Sequence, residues 1–210
     1  MRLRIKYSKS GTLVYVGTLD LLTIWERAAR RAGLPLEYSH GFHPQPKMQL
    51  AAPLPLGFSS RCEVLDMRLQ EDLDSSSVTA RLQEALPAGL TILSVQAVDP
   101  GSAAPGALVQ SVEYEVAFNA ALDSEKLTAR VDEVLSASTL PRERRGKRYD
   151  LRPLIEGLRI VSDQAGASPA LWMRLAARPG ATGRPDEVLA QLGYARDTAR
   201  IERTALIPSL

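Results

Sequence analysis

Both histidines of the chain fall in one ten-residue stretch, Tyr38-Ser39-His40-Gly41-Phe42-His43-Pro44-Gln45-Pro46-Lys47. Imidazoles titrate near neutrality and move protons, a phenyl ring between them offers a stacking face, and a lysine offers charge to a phosphate. Gly41 permits positive φ or close approach, while Pro44 and Pro46 stiffen the exit. We read Ser39, His40, Gly41, Phe42 and His43 as a loop that meets a substrate or partner. His40 and His43 are the candidates for any catalysis. Two histidines three apart can approach one metal, but further ligands would have to come from elsewhere and Glu37 is the only carboxylate close by, so no metal is expected. The plain alternative is that both imidazoles bond loop backbone and shape the turn.

A second segment, Arg142-Glu143-Arg144-Arg145-Gly146-Lys147-Arg148-Tyr149-Asp150-Leu151-Arg152, opens with five cations and one carboxylate in seven residues. Such density suits phosphate contacts, and Gly146 lets a backbone come close. Arg142, Arg144, Arg145, Lys147, Arg148 and Arg152 are therefore candidates for nucleic-acid binding, with Tyr149 as a stacking face. Lys47 joins them, as do Arg27, Arg30 and Arg31 of the first predicted helix. The bland alternatives are a solvated basic loop and an ordinary exposed helix face. Trp25 and Trp172 have apolar-periodic neighbours and are expected in the core. Cys62 is expected to be a small buried hydrophobe.

The whole composition permits this chemistry without demanding it. With 45% hydrophobic and 24% charged residues, the 210-residue chain reads as globular, long enough for one large domain or two of about 100 residues. Its net charge is only +2, so local clustering of cations matters more than the total. One cysteine excludes an internal disulfide and any cysteine-built zinc or iron–sulfur site within one chain. Neither a phosphate-binding P-loop nor a dinucleotide glycine fingerprint is present, and no hydrolase or kinase signature is found. No cofactor is expected. Met1 to Tyr7 alternates charged and apolar residues instead of forming a leader, and no apolar run is long enough for a membrane span, so a cytoplasmic protein without membrane contact is expected.

Hydrophobic periodicity places these segments on elements. Leu3, Ile5 and Tyr7 alternate with charges, which predicts a strand; a turn at Ser8–Gly11 follows, then extended chain from Leu13 to Val16. Leu21, Leu22, Trp25, Ala28, Ala29 and Ala32 form a helical stripe, capped by Thr18 or Asp20 and stopped by Gly33. Extended segments are predicted for Lys47–Leu54 and Cys62–Leu69. A second helix starts at Ser75, Ser76 or Ser77, and a strand runs over Leu90–Val98. Beyond the Pro/Gly-rich stretch 99–106 the order repeats: strand Val109–Phe118, helix Ser124–Ala137, strands Leu158–Val161 and Ala170–Ala176 around a turn at Gly166, a short helix from Pro185 to Leu192, and strand Arg200–Ile207. The fold class is α+β: two ferredoxin-like βαββαβ halves in tandem, the second decorated. The domains are 1–99, carrying the histidine loop, and 109–210, carrying the basic loop, with 100–108 as linker.

The combination of residues also resembles a known family. Lys9-Ser10-Gly11, Leu19-Asp20-Leu21, Ala28 to Pro35, Ser39 to Pro44, Pro46-Lys47, Leu54 to Gly57, Lys147 to Pro153 and Arg184 to Leu189 look like the bacterial radical-SAM-associated (radical-SAM-linked) family, a domain of unknown function. Two positions depart from its pattern. Thr18 stands where a histidine often precedes the Leu-Asp pair, and Gln45 where a histidine often lies between two prolines. The resemblance implies a partner, a radical-SAM enzyme of the cobalamin type, and a non-catalytic accessory role in binding or presenting a substrate, RNA above all. The tandem plan with a basic loop is similar to that of repeat-associated CRISPR RNA-processing endonucleases, which keeps a metal-independent endoribonuclease using His40 or His43 as an alternative. A purely protein-binding adaptor is the third reading.

Overall fold

Charge alternating with apolar residues at the start of the chain gives the first strand, which pairs on both sides. The computed structural model describes residues 1–120, 122–144, 146–162 and 169–208. They form an α+β fold divided into two compact units, Met1–Val109 and Gln110–Leu210. Among the described residues no helix is long and apolar enough to cross a membrane.

In the first unit the order is β1 (Arg2–Lys9), α1 (Thr18–Arg31), β2 (Met48–Leu50), β3 (Ser59–Arg68), α2 (Ser75–Ala85) and β4 (Leu90–Val98). β1 lies between β3 and β4, antiparallel to both, and β2 pairs antiparallel with the outer side of β3. Because side chains alternate along a strand, Leu3, Ile5 and Tyr7 point into the core with Leu65 and Met67 of β3. α1 and α2 close that face through Leu21, Trp25, Ala29, Val78 and Leu82. Trp25 is fully buried, as expected, and its ring meets that of Tyr7 edge-on at 4.9 Å between centroids.

Several local expectations are corrected. The segment expected to be extended from Leu13 is a 3₁₀ turn over Gly11–Tyr15, whose Val14 carbonyl accepts a hydrogen bond from the Gly57 amide. α1 begins after Gly17 with no side-chain cap, since Thr18 is already helical and Asp20 sits in the first turn. α2 is capped by Asp74 rather than by a serine: its carboxylate accepts from the Ser77 amide at 2.8 Å and also from the Ser76 hydroxyl. Those bonds hold the Asp74 carboxyl below the usual range. Two arginines exchange places at the helix ends. Arg81 of α2 donates to the carbonyls of Ala32 and Gly33 past the end of α1, and Arg31 of α1 donates to Ala85 at the end of α2. Each cation sits where a helix presents unpaired carbonyls and the negative end of its dipole.

The stretch read as a linker is bound down. Pro105–Leu108 is a 3₁₀ turn, and Gly106 lies so close to Ala51 that an added Cβ would stand 2.8 Å from its carbonyl oxygen. Arg2 donates to the carbonyls of Ser102 (2.6 Å) and Ala103 (2.8 Å), and Arg4 to that of Ala103 (3.1 Å). Both arginines grip the buried Asp66 carboxylate, which accepts from each through two nitrogens. Register explains the cluster, because Arg4 lies opposite Asp66 and Arg2 opposite Arg68 on one face of the β1–β3 pair.

The second unit runs β5 (Val109–Phe118), α3 (Ser124–Ser136), β6 (Pro141–Arg144), β7 (Lys147–Asp150), β8 (Ile155–Ser162), β9 (Pro169–Arg178), β10 (Ala181–Thr182), α4 (Pro185–Gln191) and β11 (Ala199–Pro208). β5 lies between β11 and β9, and β9 pairs antiparallel with both β5 and β8. Val116, Leu127, Val131, Leu171, Met173 and Leu189 are among its buried side chains. The segment expected to be a basic loop is a hairpin, β6 pairing with β7. The predicted turn at Gly166 lies outside the described residues.

Candidate functional site

The histidine loop is a stapled projection. At its foot the Lys47 amide donates to the Glu37 carbonyl at 2.8 Å; above that, Tyr38 bridges Pro46, the Ser39 amide donates to Gln45 O (2.8 Å) and the Gln45 amide to Ser39 Oγ (3.0 Å). The Lys47 ammonium also meets the Glu37 carboxylate at 2.5 Å, which holds that carboxyl below the usual glutamate range. Tyr38 donates from its phenol to Glu26 of α1 at 3.2 Å, and burial, with Glu26 beside it, raises its pKa. Ser39 therefore staples the stem of the loop through both its amide and its hydroxyl.

Above that ladder, His40, Gly41, Phe42 and His43 are exposed, Phe42 completely so at 102%. Gly41 turns the tip at φ +126°, a conformation that L side chains rarely adopt. A fully exposed phenyl ring between two exposed imidazoles gains nothing from the core. It is an apolar and polar face held out on a fixed stem. Among the described residues, no three His, Cys, Asp or Glu side chains converge on a metal-sized site.

The predicted cations divide into two kinds. Arg27 and Arg30 are exposed on α1, and Arg30 is close enough to Tyr38 to act on its phenol. Arg31 donates to the end of α2, and Lys47 is paired with Glu37 at a partly exposed position. On the β6–β7 hairpin Lys147 is exposed at the turn, Arg144 faces it across the strands, and Arg148 keeps only a long 3.6 Å contact with Glu143 at the surface. Arg142, by contrast, is paired with Glu187 of α4 (Nε–Oε2 2.9 Å). Arg152 is structural: its guanidinium donates to Leu135 O at 3.0 Å and Ile155 O at 3.1 Å. Asp150 fixes the hairpin's base by accepting from the Leu140 and Arg152 amides. Tyr149 is partly buried, and that burial, with Glu187 nearby, raises its pKa. Arg145 lies outside the described residues. Arg142 and Arg152 thus direct donors to Glu187 and to backbone carbonyls of the protein itself, unlike the exposed Lys147 and Arg148.

Two features were missed. Trp172, expected in the core, is only partly buried: its ring lies against Gly157, with Arg159 4.5 Å and Arg174 5.6 Å from its centroid, and its indole N–H donates to Glu113. Gly157 is needed there, since a Cβ would stand 2.8 Å from the indole ring. The signal was available, because Arg159, Trp172, Arg174 and Glu113 all occupy the polar positions of alternating strands. Arg68 was likewise overlooked, although it continues the charged face set by Arg2 and Arg4.

No curated protein sequence matches the chain. The crystal structure of a Cbf5-Nop10-Gar1 complex resembles it with a TM-score of 0.49 and 10% identity, over 97% of this chain and 48% of that one, so this chain spans about half the length of the solved one. The family model described as "Uncharacterized protein conserved in bacteria (DUF2344)" matches residues 2–185, and the chain belongs to that family.

Proposed function

We propose that this protein is a non-catalytic accessory partner of a radical-SAM enzyme that binds RNA and presents it to that enzyme. The observation that carries the RNA reading is the stapled loop with its fully exposed Phe42 between His40 and His43. Aromatic rings presented this way stack on unpaired bases without demanding a sequence. The hairpin cations Arg144, Lys147 and Arg148, and Arg27 and Arg30 on α1, supply phosphate contacts. The radical-SAM partner comes from the motifs quoted for the resemblance. Each unit is read as a ferredoxin-like half, which the strand orders β4-β1-β3-β2 and β11-β5-β9-β8 support.

The imidazoles make no hydrogen bond that would orient them among the described residues, which favours contact over proton transfer. Anisotropy titrations of single-stranded RNA against salt test the reading. Binding is expected to weaken steeply with salt, and Phe42→Ala is expected to lose about tenfold or more in affinity, the contribution of one stacked base. Absence of RNA binding at low salt sinks it. Retained copurification with a radical-SAM enzyme in that case leaves the protein-binding adaptor. Release of cyclic-phosphate ends that disappears with His40→Ala and His43→Ala makes the protein an endoribonuclease instead.

A further inference from the structure

We infer that the first unit carries a separate pocket for a phosphate group, at the foot of the histidine loop, with Arg68 and Lys47 as its binding residues. The pocket holds about 480 Å³. Its floor is the β1–β3 pair with Arg2, Asp66 and Arg68, one wall is Lys47–Gln49, and the other is the docked segment from Pro100 to Ala104. A second hollow of about 440 Å³ continues past Arg68 and Pro100 toward Glu37.

Charge in this pocket is unbalanced. Asp66 is shared by two arginines, so that cluster keeps one positive charge in excess. Arg2 and Arg68 stand directly opposite each other in the β1–β3 register, a like-charge pairing that destabilises a sheet. Every nitrogen of the Arg2 guanidinium is engaged, by Asp66 and by the carbonyls of Pro100, Ser102 and Ala103. Arg68 is different. Its guanidinium makes one hydrogen bond among the described residues, a long one of 3.5 Å to Pro100 O. Of the carboxylates around it, Asp66 is held by Arg2 and Arg4, and Glu37, close enough to feel the Arg68 charge, is paired with Lys47. Arg2 therefore contributes charge and rigidity, while Arg68 keeps a planar fork of donors for an incoming anion. Lys47 can leave Glu37 to join it. A tetrahedral dianion satisfies this set better than a carboxylate, because it answers a fork and an ammonium from different oxygens at once. The volume admits a mononucleotide.

Phosphate here has two sources, a free nucleotide or the end of an RNA strand, and the test separates them. Adenosine 5′-monophosphate and adenosine are titrated calorimetrically into the full chain, alongside short oligoribonucleotides with a 5′-phosphate or a 5′-hydroxyl. A preference for the phosphorylated member is expected in at least one pair, and which pair shows it names the source. Arg68→Gln and Lys47→Gln are each expected to cut that preference about tenfold, one charge-assisted contact apiece. Lys126→Gln, on exposed α3 and outside every surface assigned to binding, is expected to leave it unchanged. Melting temperatures of the variants separate lost binding from lost folding. Equal binding within both pairs overturns the pocket, as does undiminished preference in folded Arg68→Gln and Lys47→Gln. Equal but firm binding of both oligoribonucleotides leaves the RNA reading standing. Failure of both oligoribonucleotides ends the RNA reading, while the nucleotide pair still decides the pocket.

Discussion

At the scale of single residues, what an arginine does here depends on whether its donors are already spent. Arg152 hands its guanidinium to two backbone carbonyls, whereas Lys147 at the hairpin turn extends into solvent. Arg152→Ala is therefore expected to cost about 1.5–3 kcal/mol in urea unfolding while leaving the salt slope of RNA binding unchanged. Lys147→Ala is expected to do the reverse, reducing that slope by about one for the phosphate contact removed. The Glu37–Lys47 pair gives a pH dependence. Because Lys47 lowers the Glu37 pKa in the folded chain, the pair's stabilisation is fully present above the ordinary glutamate value. It is lost as the pH falls through the lowered one. The stability gap between wild type and Glu37→Gln, below about 1 kcal/mol for a half-exposed pair, should close in acid.

Among elements, helix ends and strand faces set the details that position the loop and the pocket. α1 and α2 each receive an arginine from the other at their last carbonyls, so Arg81→Ala should cost about 1 kcal/mol and fray the end of α1 ahead of Gly33. Hydrogen exchange at the Ala32 and Gly33 amides would register the fraying. Gly33 at φ +63° ends α1, and the chain then reaches the stem of the histidine loop through Leu34 and Leu36, both buried. That anchoring lets seven residues, 39 to 45, stand out as one shape without packing of their own.

For the molecule as a whole, the segment 99–108 shows how composition and role part company. Its Pro, Gly, Ser and Ala content is that of a flexible connection, yet the Arg2–Asp66–Arg4 cluster holds it on the first unit. Limited proteolysis is expected to spare it in the wild type. Asp66→Ala leaves two arginines near-buried without their carboxylate, so it should destabilise the protein by about 3–5 kcal/mol and expose the segment to cleavage. Rapid cleavage of the wild type there would show that the cluster does not hold it.

Periodicity and residue type alone determined much of the first unit. The alternation of Leu3, Ile5 and Tyr7, the stripe through Trp25 and Ala29, the span of β4 and the helix stop at Gly33 all follow from local sterics and from which face is apolar. The histidine loop was legible too, because two imidazoles, a ring and two prolines have no use in a core. Tertiary structure decided which cations are spent, that Asp74 and not a serine caps α2, that the basic stretch is a hairpin, and that Trp172 lies on a glycine between arginines. Those outcomes depend on partners distant in sequence, such as Glu187 for Arg142 and Leu135 for Arg152. A hydrogen bond forms with whatever strand pairing brings within 3 Å, and spacing along the chain does not encode that.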